Sequence, residues 1–157
     1  MSAPEASHPS EVGRMPELVL LNRQRSVRLD LGALEVFARR VLRDCLRESA
    51  DGLFALSALE EVVVTLVSDR RIDQIHRQFM NIPGATDVIT FEHGEIVISA
   101  QTAERCAREF GHSTAAETGL YVVHGLLHLN GFLDGTEPER LRMHAVQDRI
   151  WRSALAE

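Results

Sequence analysis

The run His124-Gly-Leu-Leu-His128-Leu-Asn-Gly131-Phe-Leu-Asp134 constrains this chain more than any other stretch. Two histidines four apart lie one helical turn from each other, so both imidazoles leave the same helix face. Asn130-Gly131 reads as a helix stop, because glycine just past a helix takes the left-handed conformation that ends it. A chain that reverses there can carry the Asp134 carboxylate round to the two imidazoles. Two neutral imidazoles and one carboxylate, with a fourth position left for water, suit a catalytic Zn²⁺ ion rather than a closed structural one. Gly125 occupies the place where H-E-x-x-H metalloproteases carry their general base, so peptidase chemistry lacks its proton acceptor.

The surrounding sequence asks for one domain. Its 157 residues suffice to bury a core, and 45% are hydrophobic and 25% charged, as in soluble globular chains. No apolar run approaches the roughly 18 residues of a membrane span. Residues 1–15, rich in Ser, Pro, Ala and Glu, read as a disordered lead rather than a secretory signal, leaving 16–157 as the domain. With this lead the chain is expected in the cytoplasm, and Cys45 and Cys106, both in helical patterns, are expected to be buried and reduced.

A net charge of −6 excludes nucleic-acid binding by global electrostatics. Any such ligand needs a local groove. All 17 basic residues are arginine, a bias that suits phosphate contacts and equally follows from genomic base composition. The Arg23, Arg25 and Arg28 cluster reads as a solvated strand edge.

Periodicity predicts strands over Glu17–Asn22, Glu61–Ser68, Asp87–Phe91 and Glu95–Ser99. Helices are predicted from an Asp30 cap to about Ser49 with Leu31, Leu34, Val41, Leu42 and Cys45 inward, and from Ser68 or Asp69 to Phe79 with Ile72, Ile75 and Phe79 on one face. Three more follow over Ala100–Phe110, Thr114–Asn130, and from the Thr136-Glu-Pro-Glu start to Trp151 or beyond. Residues 50–58 and 81–85 read as connections. Four strands among five helices without strict alternation indicate an α+β domain: a mixed sheet packed with helices, with the metal site on one helix and the turn after it.

Two motifs in this order, T-D-V-I-T-F at Thr86–Phe91 with G-E-I-V-I-S at Gly94–Ser99, and H-G-x-L-H-L-x-G at His124–Gly131 with Glu117 upstream, make the chain resemble the YbeY family. The likeness runs from about Val62 to Ile150. These are bacterial metal-dependent endoribonucleases that act as ribosomal RNA maturation factors. The resemblance implies a mixed four-stranded sheet with a metal cleft, one zinc or related divalent ion, and single-stranded RNA as substrate. It also implies small-subunit ribosomal RNA and the ribosome or its proteins as partners. Family members hold the metal through three histidines, which places His124, His128 and Asp134 in that role here.

Two departures stand out. The third ligand is Asp134 where the family has histidine; a carboxylate is a competent Zn²⁺ ligand but removes one unit of site charge, making bound water less acidic. His144 on the last helix is an alternative third ligand, whereas His93 and His112 read as loop histidines near solvent. The family's phosphate-contacting arginine follows an aromatic before the T-D-V strand; here Phe79 is followed by Met80, and Arg77 one turn earlier is the candidate to compensate. His76 stands where the family tends to have asparagine. The site suits metal-dependent hydrolysis of RNA; a ribosome-assembly factor with a structural metal and a hydrolase of another substrate are the alternatives.

Overall fold

A computed structural model describes residues 15–52, 54–80 and 86–156. The expectations of a disordered lead and of a loop over 81–85 concern, but for Met15, residues outside that range. The described chain runs β1 (Glu17–Asn22), α1 (Leu31–Leu46), a short 3-10 turn (Ala55–Ala58), β2 (Glu61–Val67), α2 (Asp69–Met80), β3 (Val88–Phe91), β4 (Glu95–Ser99), α3 (Ala100–Phe110), α4 (Thr114–Leu129) and α5 (Glu137–Leu155).

The four strands form one mixed sheet in the order β1-β2-β4-β3. β1 and β4 flank β2 in parallel, Val19 opposite Val63 and Thr65 opposite Val97, while β3 pairs antiparallel with β4, Ile89 opposite Val97. The fold is the α+β arrangement that the strand and helix count anticipates. Strand periodicity of two then divides the side chains between two faces. Leu18, Val62, Val64, Leu66, Ile96 and Ile98 join α1, α4 and α5 in the main core. Val67, Ile89 and Val97 face the other way, toward Ile72 and Ile75 of α2.

Local chemistry fixes the helix starts. Asp30, Ser99 and Ser113 each accept a first-turn backbone N–H of α1, α3 and α4. Thr136 and Glu139 form a reciprocal capping box on α5, with proline in the first turn. Leu31, the first residue of α1, is 36% exposed, so the apolar stripe of α1 enters the core from Leu34 onward. Phe79 shares the face of Ile72 and Ile75, its ring edge-on to Phe91 of β3 at 5.4 Å, and stays 62% exposed. α1 also stops at Leu46 rather than near Ser49. Cys45 is buried and reduced as expected, but Cys106 is only partly buried.

α4 is the central helix, and glycine lets it come close. A Cβ at Gly125 would lie 2.7–2.9 Å from the Ile96 side chain on β4, and one at Gly119 would meet the Phe37 ring at 2.6 Å. Position 125 therefore points into the sheet. The missing glutamate of the metalloprotease pattern could not have reached a cleft from there.

Candidate metal centre

The C-terminus of α4 builds the site through its termination. Gly131 takes φ +94, the Gly131 N–H bonds to the His128 carbonyl at 3.0 Å, and the Phe132 N–H bonds to the Leu127 carbonyl at 3.0 Å. This is the Schellman pattern, and burial of Phe132 against the core supplies its hydrophobic contact. Asn130, wholly buried, locks the reversal in place. Its amide donates to the Cys45 and Glu48 carbonyls and its oxygen accepts from the Leu56 N–H, tying the end of α4 to the end of α1.

The reversal brings Asp134 back over the face of α4 that carries both histidines. Nε2 of His124 and Nε2 of His128 lie 3.1 Å apart, and Asp134 Oδ2 stands 3.2 Å from the second and 3.8 Å from the first. The three ligand atoms fall within 4.8 Å of one another, and among the described residues no other group of histidine, cysteine or acid converges in this way. His144 is exposed on α5 and takes no part. His93 is exposed and pairs with Glu95; His112 stacks edge-on against Trp151, away from this cluster.

The opposite nitrogen of each imidazole faces an oxygen, an arrangement that favours the Nδ1-protonated tautomer. His128 Nδ1 is 2.9 Å from the Phe132 carbonyl oxygen, which can only accept. His124 Nδ1 is 2.7 Å from Gln147 Oε1. With both protons committed outward, both Nε2 lone pairs point inward at each other and at a carboxylate. Three acceptors with no donor between them are mutually repulsive unless a cation lies among them, so the donor set fits a divalent metal. Burial holds the His124 imidazole below its usual range and His128 adds to this, while Gln147, Asp87 and Asp134 act in the opposite direction. A neutral imidazole is the form that ligates.

Gln147 did not emerge from the sequence as a site residue. Its signal was present: α5 buries Met143, Gln147, Ile150 and Trp151 on one stripe, and a glutamine inside an apolar stripe needs a partner.

The cluster opens into a cleft of about 830 Å³ between α4, the β3 edge and the end of α2, lined by His76, Met80, Asp87, Thr90, Glu92 and Leu133 among others. Met80 and Leu133 are exposed apolar side chains on its rim. Among the described residues, no arginine lines it. Arg77 is instead held by Asp73 on its own helix, Nε to the carboxylate at 3.1–3.2 Å. Glu117, buried in the first turn of α4, lies about 10 Å of helix rise away from His124 and does not line the cleft.

With the geometry in place, comparison with known proteins gives a consistent answer. Residues 20–154 match the family model described as endoribonuclease YbeY, extending the likeness beyond the 62–150 seen in the motifs. A protein of that name from Pelotomaculum thermopropionicum is 33% identical over 151 residues, covering 87% of this chain and 95% of its own. One from Bacillus pumilus is 37% identical over 122 residues, covering 62% of this chain and 77% of its own. The solution structure of a Thermotoga maritima protein superposes with a TM-score of 0.56 at 24% identity, covering 88% of this chain and 92% of that one, and so shares the fold. The chain belongs to the YbeY family.

Proposed function

We propose that this member of the YbeY family is a metal-dependent endoribonuclease that cuts single-stranded RNA during small-subunit ribosomal RNA maturation and ribosome quality control. The observation that carries this reading is the convergence of three ligand atoms, His124 Nε2, His128 Nε2 and Asp134 Oδ2, within 4.8 Å of one another. Zn²⁺ suits two imidazoles and a carboxylate. When bound there, such an ion supplies positive charge to a phosphate and lowers the pKa of water.

The chain's own residues supply the rest. His124 and His128 are oriented by outward hydrogen bonds before any ligand arrives, so the site needs no reorganisation of the α4 face. Asp134 reduces the local charge by one unit relative to three histidines, which favours holding the ion over acidifying water. Exposed Met80 and Leu133 give the cleft apolar walls against which an unpaired base can lie. The carboxylates of Asp87 and Glu92 on the cleft wall repel a phosphate backbone, so binding depends on the metal and on base contacts more than on side-chain cations. Among the described residues no helix is long and apolar enough to cross a membrane, and the cytoplasm, where ribosomes assemble, is the compartment this function requires.

One observation favours a second reading. With methionine at position 80 and Arg77 paired to Asp73, the cleft lacks a guanidinium for developing negative charge. A ribosome-assembly factor whose metal is structural would tolerate that loss.

Cleavage of a single-stranded RNA by zinc-loaded protein separates the two. The nuclease reading expects cuts that disappear on chelation and in His128→Ala. No cleavage above a metal-free blank with any divalent ion, together with small-subunit co-sedimentation that survives in folded His128→Ala, would select the assembly factor.

A further inference from the structure

The buried stripe of α5 contains one polar side chain, Gln147, and it is 8% exposed. Its neighbours on that stripe, Met143, Ile150 and Trp151, are core residues that dock α5 against α1 and α4. A glutamine in such a setting costs stability unless its amide is bonded, and a leucine of similar volume would pack there without that demand. The polar group it meets is His124 Nδ1, at 2.7 Å.

We infer that Gln147 is a positioning residue for the metal site: by accepting the Nδ1 proton it fixes His124 in the tautomer whose Nε2 lone pair faces His128 and Asp134. Two structural features support this over simple packing. His128 is held the same way by a backbone carbonyl, which cannot fail, because it belongs to the turn that ends its own helix. His124, one turn earlier, has its backbone surroundings committed to helix hydrogen bonds. Its orienting acceptor must come from another element, and α5 delivers it from 23 residues away. The second feature is charge. Asp134 already contributes one negative charge, so an amide orients the ring without adding another, as a carboxylate would.

The inference rests on the metal reading of the triad, and its test separates the two. Zinc affinity is measured by chelator competition on the full chain for wild type, Gln147→Leu, Gln147→Glu and His128→Ala. The His124 tautomer is followed by ¹⁵N NMR of the metal-free protein, and folding by thermal unfolding. Gln147→Leu is expected to remain folded, to bind Zn²⁺ about 10–100-fold more weakly, and to show His124 in mixed tautomers. Gln147→Glu, which keeps an acceptor, is expected to bind at least as tightly as wild type with a single tautomer. A purely structural role would move the unfolding temperature and leave affinity and tautomer alone. Wild-type affinity in Gln147→Leu with His128→Ala impaired would overturn the role of Gln147 only. Wild-type affinity in His128→Ala would overturn the metal reading and, with it, this inference. Equal weakening in Leu and Glu variants would also overturn it, since the acceptor would then be irrelevant.

Discussion

Two aspartates in this protein occupy opposite electrostatic situations. Asp69, at the start of α2, is surrounded by donors. Ser99 Oγ and Thr102 Oγ1 donate to its Oδ1 at 2.6 and 2.7 Å, and Arg105 donates to Oδ2 at 2.7 Å. Its own N–H donates to Gln101 Oε1, so the first turns of α2 and α3 are stitched together. Burial alone would raise its pKa, but the Arg105, Ser99 and Thr102 hydrogen bonds outweigh that and hold the carboxyl below the ordinary aspartate value. Asp134, in the cleft, is surrounded by acceptors: its carboxylate faces two Nε2 atoms whose protons are on the far side of their rings. A carboxylate among donors is finished and structural. One among lone pairs lacks a positive charge, and that lack marks a site.

The contrast can be broken most forcefully at the site. Removing one imidazole by His128→Ala should reduce RNA cleavage by about 100-fold or more, as loss of a metal ligand does, whereas Asp69→Asn should leave it within about twofold. A comparable loss from both would mean that the cleft responds to general destabilisation. Supplying the absent cation in another form is a second test. Met80→Arg places a guanidinium at the cleft wall and should raise cleavage at saturating zinc by about tenfold, and steepen its salt dependence. An unchanged rate would remove the arginine position from the account of catalysis.

The structural aspartate makes a pH prediction. Because its folded pKa lies below the unfolded one, its stabilisation is complete above the unfolded value and fades as pH falls through the folded value. Asp69→Asn should therefore cost about 1–2 kcal/mol at pH 7, a range discounted for the exposed Arg105 partner. That gap should begin to narrow below roughly pH 4 and close as pH falls below the folded value. Urea unfolding of both proteins at several pH values reads it directly; a gap that does not narrow at all as pH falls below the ordinary aspartate range would show that shape rather than charge is lost.

The smallest expected effect joins local geometry to the site. Gly131→Ala forces a side chain into the φ +94 conformation, costing about 1 kcal/mol of stability. Since the same turn returns Asp134 to the imidazoles, zinc affinity should fall further than stability does. Affinity unchanged at reduced stability would detach the turn from ligand placement.

What could be read in the sequence was whatever depends on neighbours along the chain. The i, i+4 histidines, the Asn130-Gly131 stop and the β-branched Val62–Val67 run carry their geometry within a few residues, and the elements appear where that geometry puts them. Asp134 was within reach too, because only a short turn separates it from His128. Contacts across the fold were not legible. Gly125 looked like a lost catalytic base, whereas it is a contact with Ile96 on a strand nearly thirty residues earlier. Gln147 stands out as a glutamine within the apolar stripe of α5, but the partner it needs, His124, lies on α4 and shows only where α5 docks over it. Phe79 fits the apolar stripe of α2, and the partner it meets is the ring of Phe91 on β3, edge-on at 5.4 Å. In each case the decisive partner lies on another element, and periodicity contains no information about it.

Metal content bears most directly on the claim that Asp134 completes a cation site with His124 and His128. Protein prepared without an affinity tag, loaded with Zn²⁺ and passed through a desalting column, should retain close to one ion per chain. Asp134→Ala treated identically should retain far less while unfolding at a similar temperature. Equal zinc in the two proteins would contradict the account and remove the aspartate from the site.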